Sequence, residues 1–275
     1  MSVWALDPQW LAALEASADQ PPSRPRVPLV WDLHVIGSVE PDYLNKIVLQ
    51  PSSIGSLVLQ KEESSDALVW RVKGDCTLAL RQIALALREA AVGLVAQQWR
   101  DEQLAVCDAH RQQVATVERG VVRPLGIATR AVHLTARAPD GRFWVQQRAL
   151  NKANDPGLWD TLMGGMVSAA DTVDTALIRE TWEEAGIRLG LVHDLSRGGR
   201  MALRKPSPEA GSAGYVVEQI DWFYCTVPQG VQPINMDGEV AQFLLLDKCA
   251  LRSKLEQNDF TTEAALILVA ALRLP

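Results

Sequence analysis

The sequence has no excess of positive charge, no paired-cysteine motif and no apolar run long enough to cross a bilayer. Its 275 residues carry 27 Lys and Arg against 33 Asp and Glu, for a formal net charge of -6. That balance argues against a general nucleic-acid or anionic-membrane surface, so neither kind of partner is expected. A phosphate-bearing ligand of so acidic a chain has to be held locally, by a few Arg and Lys side chains or by a metal. Cys76, Cys107, Cys225 and Cys249 are scattered, with no C-x-x-C pair and no histidine spaced as in a zinc site, and read as reduced, buried thiols. The start "MSVWALDPQW" lacks the basic and apolar regions of a secretory signal. The longest late apolar run, Ala264 to Leu272, falls far short of the roughly 20 residues a spanning helix needs. A cytoplasmic location is therefore expected, and internal repeats and low-complexity segments are lacking as well.

What is present is an ordinary globular composition, 48% hydrophobic and 22% charged, with enough chain for one large domain or two modest ones. After an amphipathic start around Trp10, Leu11 and Leu14, the stretch "DQPPSRPRVP" reads as an ordered arm or linker. "LVWDLHVIG" and "DALVWRV" read as strands, and Leu80, Ile83, Leu87 and Leu94 recur at helical spacing, predicting a helix from Thr77 to Val95. "WRDEQLAVCDAHRQQVATVERG" fits two short strands and a turn. "RPLG", Arg123 to Gly126, punctuates the best boundary, which predicts an N-terminal α/β domain over 1–120 and a second domain over 121–275.

Beyond it, "IATRAVHLTARA", the turn "PDG" and "RFWVQQR" form a predicted hairpin that delivers Arg148 to a loop. That loop runs into "GGMVSAADTVDTALIRETWEEAGI", where Thr172 to Glu184 reads as a helix stopped at Gly186. "LRKPSPEAGSAG" reads as a polar loop, "YVVEQIDWFYCTV" and "VAQFLLL" as strands, and Thr261 to Leu272 as a closing helix.

On the predicted helix, Glu180, Glu183 and Glu184 share one face, an arrangement that repels unless it is compensated. From spacing alone the face is either simply solvated or occupied by hard divalent cations, which take oxygen ligands and bridge substrate phosphates. The surrounding residues narrow the choice. Gly165, Asp171, Arg179, Glu180, Thr181, Glu183, Glu184, Gly186 and Ile187 fall in register with the pattern G-x5-E-x7-R-E-U-x-E-E-x-G-U, where U is bulky and apolar. This resembles the Nudix box. Asp171 stands for the first Glu and Thr181 for an apolar residue; neither departure touches the three glutamates.

The resemblance implies an α/β (α+β) fold, a Nudix α/β/α sandwich preceded by the smaller mixed domain, and a hydrolase of diphosphate linkages on a small-molecule substrate. It implies Mg²⁺ or Mn²⁺ bound by the Gly164 carbonyl and the Glu180, Glu183 and Glu184 carboxylates, with Arg179 paired to Asp171. By the same likeness Glu239, in "NMDGEV", is a candidate ligand or general base, although a plain Asp-Gly turn explains it equally. Arg148 and Lys152 are candidate phosphate grips or lone surface cations. His133, inside a predicted strand, reads as a core histidine. Trp31, Trp159 and Trp222 are candidates to stack on a ring-bearing substrate.

Two Nudix subgroups share the loop "RALNKANDPGLWDTLMGG". Isopentenyl diphosphate isomerases need a reactive cysteine just before the glycines, where this chain has Met163, and a thioether transfers no protons. The other subgroup, two-part proteins related to thiamine diphosphate metabolism, resembles the chain nearly end to end, through "WRDEQLAVC", "VERGVVRPLGIATRAVHL" and "INMDGEVAQFLLL". That likeness implies hydrolysis of damaged (oxo or oxy) thiamine diphosphate to the monophosphate. A nucleotide-sugar, dinucleotide or oxidised-nucleotide diphosphatase, and a non-catalytic module binding a phosphorylated metabolite, are the alternatives.

Overall fold

Thr129–Arg137 alternates its side chains between two cores, as the two-residue period of a strand requires. Val132, Leu134 and Ala136 enter one core and Ala131 the other. In the computed structural model, which describes residues 6–47, 58–63, 68–207 and 213–274, this strand is the centre of the larger sheet. The order of elements is α1 (Pro8–Ser17), β1 (Val27–Trp31), β2 (His34–Val39), β3 (Leu59–Glu63), β4 (Leu68–Val72), α2 (Cys76–Glu89), β5 (Gln103–Cys107), β6 (Gln113–Glu118) and β7 (Thr129–Arg137). There follow β8 (Phe143–Arg148), β9 (Trp159–Asp160), β10 (Met163–Met166), α3 (Val173–Ala185), β11 (His193–Ser207), β12 (Gly214–Thr226), β13 (Val240–Leu246), α4 (Lys248–Glu256) and α5 (Thr262–Leu272).

The seven-stranded sheet runs β11-β12-β7-β8-β13, with β10 paired to β7 and β9 to β8. It is mixed, because β12 and β7 are parallel while β11–β12, β7–β8 and β8–β13 are antiparallel. β7 and β8 pair only at Ala136–Trp144 and Arg137–Phe143. Farther along each takes a different partner, so β10 lies along Ala131–Leu134 and β9 along Gln146–Gln147. Ala176, Leu177 and Ala185 of α3 cover one face. Ala264, Ile267 and Leu268 of α5, with Leu251 and Leu255 of α4, cover the other. The result is an α/β/α sandwich.

The smaller sheet, β2-β1-β4-β3, and the β5–β6 ribbon share a core with α2, whose fully buried Leu80, Ile83 and Leu87 recur at helical spacing. Val121, Val122, Leu125 and Ile127 complete that core. Leu104 of β5 bridges to Ser168, and the Ala169 amide donates to the Gln103 carbonyl at 2.8 Å. The ribbon is thereby tied to the loop that precedes α3. The helix α1 packs elsewhere: Trp10, Leu11 and Leu14 lie against the core formed by α4 and α5.

Several elements differ from the sequence expectation, each for a local reason. "LVWDLHVIG" is a hairpin rather than one strand, because Asp32 takes φ 52° and turns the chain between β1 and β2. The helix expected to reach Val95 ends at Glu89; Ala91 (φ 48°) and Gly93 (φ 61°) adopt left-handed backbone that no helix continues. Leu203–Ser207, expected in a loop, extends β11, where the sheet edge tolerates Pro206. Of the rest of that expected loop, 208–212 lies outside the described residues and Gly214 opens β12. The short helix α4 has no counterpart in the sequence expectation.

Candidate functional site

The helix α3 is defined at both ends by its sequence. Thr172 caps the N-terminus in a reciprocal pair with Thr175, and Gly186 closes the C-terminus at φ 61°. Thr181, where an apolar residue is usual, is fully buried, and its hydroxyl donates to the Leu177 carbonyl at 2.6 Å, so no polar group is stranded. Glu180 and Glu184 point inward at 9% and 2% exposure. They face Gly164 and Gly165 of β10. A Cβ on Gly165 would lie 2.5 Å from both Glu180 carboxylate oxygens, and one on Gly164 would lie 2.7 Å from His133 Nδ1. Only glycines let the carboxylate and the histidine approach the strand this closely.

Arg179 collects the acids around it. Its Nε and Nη2 donate to Asp171 Oδ2 at 3.0 and 2.8 Å, and its Nη1 donates to Glu180 Oε1 and Glu183 Oε2 at 2.9 Å each. Burial alone would raise the Asp171 carboxyl, but bonds from Arg179, Ser168 and Thr175 hold it below the usual range. Glu184 Oε2 accepts from the Gly164 amide at 3.0 Å and from Gln146 Nε2 at 2.7 Å. Burial nonetheless pushes Glu184 up to about 8 and Glu180 up to about 7, the latter against the pull of Arg179. Arg179 compensates Glu180 only in part, and Glu184 is held by the Gly164 amide and Gln146 with no ion pair of its own.

They line a cleft of about 370 Å³. Among the described residues its walls carry ten carboxylate side chains and six cationic ones. The sequence candidates Gly164, Arg179, Glu180, Glu183, Glu184, Arg148, Lys152 and Glu239 all lie in it. Lys152 is ion-paired with Glu239. Burial would raise the Glu239 carboxyl, yet Lys152, together with Arg119 and Arg148, holds it below the usual range. Arg148 is tied to Asp160 at 3.5 Å and to the Asn154 carbonyl at 3.0 Å. His133 is buried and also faces the cleft, with its Nδ1 3.0 Å from Thr161 Oγ1 and 3.5 Å from Asp160 Oδ1.

Two expectations change here. Trp159 and Trp222 are core residues, and Trp31 stacks on His34 in the first hairpin. Among the described residues no Trp, Tyr or Phe lines the cleft, so no aromatic platform faces a ligand. Conversely, Arg100, Glu102 and Arg119 form part of the wall. Sequence reasoning did not single them out, since they reach the site only through the docking of β5 on the loop before α3.

The donor set bears on a metal. Three carboxylates and a backbone carbonyl are oxygen ligands, the hard set that Mg²⁺ and Mn²⁺ take. Arg179 already places one positive charge between Glu180 and Glu183. Among the described residues no group of three His, Cys, Asp or Glu side chains converges as a ready cage. Glu183 is turned to Arg179 and Glu184 to Gly164 and Gln146, and both line the cleft. The chemistry of the residues fits a hard divalent ion.

Residues 128–264 match the NUDIX domain family. An uncharacterized Nudix hydrolase of Streptomyces coelicolor, SCO1686, is 36% identical over 86 residues, which cover 31% of this chain and 48% of that protein. The chain thus spans about half the length of this curated relative. An isopentenyl-diphosphate Delta-isomerase of Streptomyces avermitilis is 26% identical over 170 residues, 61% of this chain and 82% of that protein. The crystal structure of DR0079 from Deinococcus radiodurans aligns with a TM-score of 0.49 and 18% identity, covering 62% of this chain and 99% of that one.

Proposed function

The chain belongs to the Nudix superfamily through residues 128–264, and from that membership we propose that it is a divalent-metal-dependent hydrolase of a diphosphate linkage. The observation that carries this reading is the cleft's excess of carboxylates over cationic side chains, concentrated on buried Glu180 and Glu184. A polyanionic substrate is repelled by such a cleft unless divalent cations enter with it. Mg²⁺ or Mn²⁺, held by the Gly164 carbonyl and by Glu180, Glu183 and Glu184, would neutralise the diphosphate oxygens and acidify a water.

The chain's own groups supply the rest. Arg179 fixes the carboxylates through Asp171, and Arg148 and Lys152 meet the substrate phosphates. A phosphate that draws Lys152 away leaves the Glu239 carboxylate free to accept the proton of the attacking water. As the new P–O bond forms, the bridging P–O bond breaks and the leaving phosphate departs.

The same proposal divides the chain near residue 120, with 1–120 supplying the wall of Arg100, Glu102 and Arg119 and 121–275 the α3 carboxylates. For substrate, the resemblance to thiamine-related Nudix proteins favours oxo- or oxythiamine diphosphate. Without an aromatic platform, a neutral ring would rest on Val122, Ala131 and Met166, the apolar side of the cleft. Loss of the thiazolium charge lowers the cost of that transfer. An isomerase reading is not favoured, because Met163 precedes the glycines and no cysteine lines the cleft among the described residues.

The test is a Mg²⁺- and Mn²⁺-supplemented screen of organic diphosphates, with products identified by mass. Conversion of oxythiamine diphosphate to the monophosphate, in preference to ADP-sugars and dinucleotides, is expected. Preference for one of the latter removes the thiamine assignment alone, and inertness toward every diphosphate removes the hydrolase.

A further inference from the structure

Five of the six cationic side chains in the cleft are already engaged by carboxylates. Arg119 pairs with Glu102 at 2.7 Å, Arg123 with Glu218 at 2.8 Å and Arg148 with Asp160 at 3.5 Å; Lys152 pairs with Glu239, and Arg179 with three acids. Arg100 is the exception. Its side chain is exposed along the cleft wall and has no ion pair or side-chain hydrogen bond among the described residues.

The backbone that carries Arg100 is held firmly. One oxygen of buried Glu118, Oε1, accepts from the Arg100 amide at 2.9 Å and from the Gly120 amide at 3.3 Å. The Arg119 amide donates to the Glu102 carbonyl at 2.9 Å. Gly120 allows the Gln98–Trp99 backbone to lie against this turn, where a Cβ would sit 2.9 Å from the Gln98 carbonyl oxygen. Trp99 is fixed in turn by Asp101, at 2.7 Å from its indole nitrogen, and by Arg88 over its ring. Arg100 and Arg119 thus leave one rigid corner. Arg100 and Arg119 line the same cleft as Glu180, Glu184 and Glu239, so this corner and the α3 carboxylates face one ligand volume.

We propose that Arg100 is a substrate-binding residue supplied by the N-terminal half, gripping the phosphate of an organic diphosphate that lies away from the α3 carboxylates. This rests on the diphosphate reading of the cleft and assigns the N-terminal half a part in recognition. An exposed guanidinium on a fixed backbone suits the role: its planar fork meets two phosphate oxygens at once, and no resident acid has to be displaced first. The other five cations, Arg148 and Lys152 included, meet a phosphate only by loosening a bond to a resident carboxylate. Among the described residues of the wall, Arg100 alone offers uncommitted positive charge.

The test uses the full chain with saturating Mg²⁺, comparing wild type, Arg100→Ala, Arg100→Lys and, as a charge control, Arg111→Ala in the exposed β5–β6 turn. Calorimetry measures binding of methylenediphosphonate and of orthophosphate, and initial rates are taken on a diphosphate that the wild type cleaves. Arg100→Ala is expected to weaken methylenediphosphonate by about tenfold to a hundredfold, the effect of losing a charge-assisted bond. KM should rise by the same factor, with kcat within about threefold of wild type. Arg100→Lys should recover part of the binding, and Arg111→Ala should match wild type.

Equal methylenediphosphonate binding by wild type and Arg100→Ala overturns the assignment, as does an equal loss in Arg111→Ala, which would mark a diffuse field effect. A change confined to orthophosphate also overturns it. A wild type that binds methylenediphosphonate through Arg100 but hydrolyses no diphosphate defeats the hydrolase and leaves this inference standing. A wild type that does not bind it defeats both.

Discussion

Two charge clusters in this chain are near mirror images. On β12, Asp221 is fully buried and meets three guanidinium groups, those of Arg197, of Arg200 at 3.0 Å and of Arg130 at 3.8 Å. On α3, one guanidinium, Arg179, meets the three acids Asp171, Glu180 and Glu183, with Glu184 buried behind them. The difference lies in which sign is in surplus and where it sits. At Asp221 the surplus belongs to arginines whose side chains stay 40–52% exposed, so water solvates it. At Arg179 the surplus belongs to carboxylates of which Asp171, Glu180 and Glu184 are largely withdrawn from water, where uncompensated charge is costly, while Glu183 stays half-exposed. A cluster of the first kind leaves its surplus to water, whereas the second keeps buried carboxylates in excess of its one guanidinium.

Matched glycine substitutions break the comparison most sharply. A Cβ at Gly165 would strike the Glu180 carboxylate, and one at Gly198 would strike the Trp222 ring beside the Asp221 cluster. Both should destabilise the fold by about 1–3 kcal/mol through overpacking. Only Gly165→Ala should also lower kcat, by more than about a hundredfold. Melting curves beside initial rates separate the two, and equal kcat in both variants would show that the α3 face is not the reacting site.

Removing the central arginine is next in size. Arg179→Ala strands three acids and should lose about 2 kcal/mol together with activity. Added Mn²⁺ should restore part of the melting temperature, which it should not do for variants at Asp221. Glu239→Gln comes third: as a proton acceptor acting mainly in the transition state, Glu239 should affect kcat, by about tenfold, more than KM. A change in KM alone would place the base elsewhere. The smallest effect is expected for Asp221→Asn, about 1 kcal/mol in the melt with kcat unchanged, because the arginines it leaves unpaired remain solvated.

The two clusters also differ in how legible they were. The α3 face is local: its spacing, the Thr172 cap, the Gly186 stop and the paired glycines all fall within one short stretch, so periodicity and register expose it. The Asp221 cluster joins β7, β11 and β12, and most of β11 escaped notice because Gly198, Gly199 and Pro206 interrupt its pattern. Arg100 and Arg119 were hidden for a similar reason. Nothing near them in sequence signals a cleft, and only the bonding of Gln103 and Leu104 to Ala169 and Ser168 brings them there. The tryptophans misled in the opposite direction. Ring size suggested stacking on a ligand, whereas Trp159 and Trp222 serve the α4–α5 core.

The central claim is that the carboxylates of α3 act through a bound divalent ion on a diphosphate. It is tested most directly by the turnover of Glu184→Gln at saturating Mg²⁺ on a substrate that the wild type cleaves. Glutamine keeps the shape and the bond from the Gly164 amide but removes the negative charge. A fall in kcat of about a thousandfold or more, with a melting temperature equal to or above that of the wild type, is the predicted result. Unchanged turnover in a folded Glu184→Gln variant would contradict it.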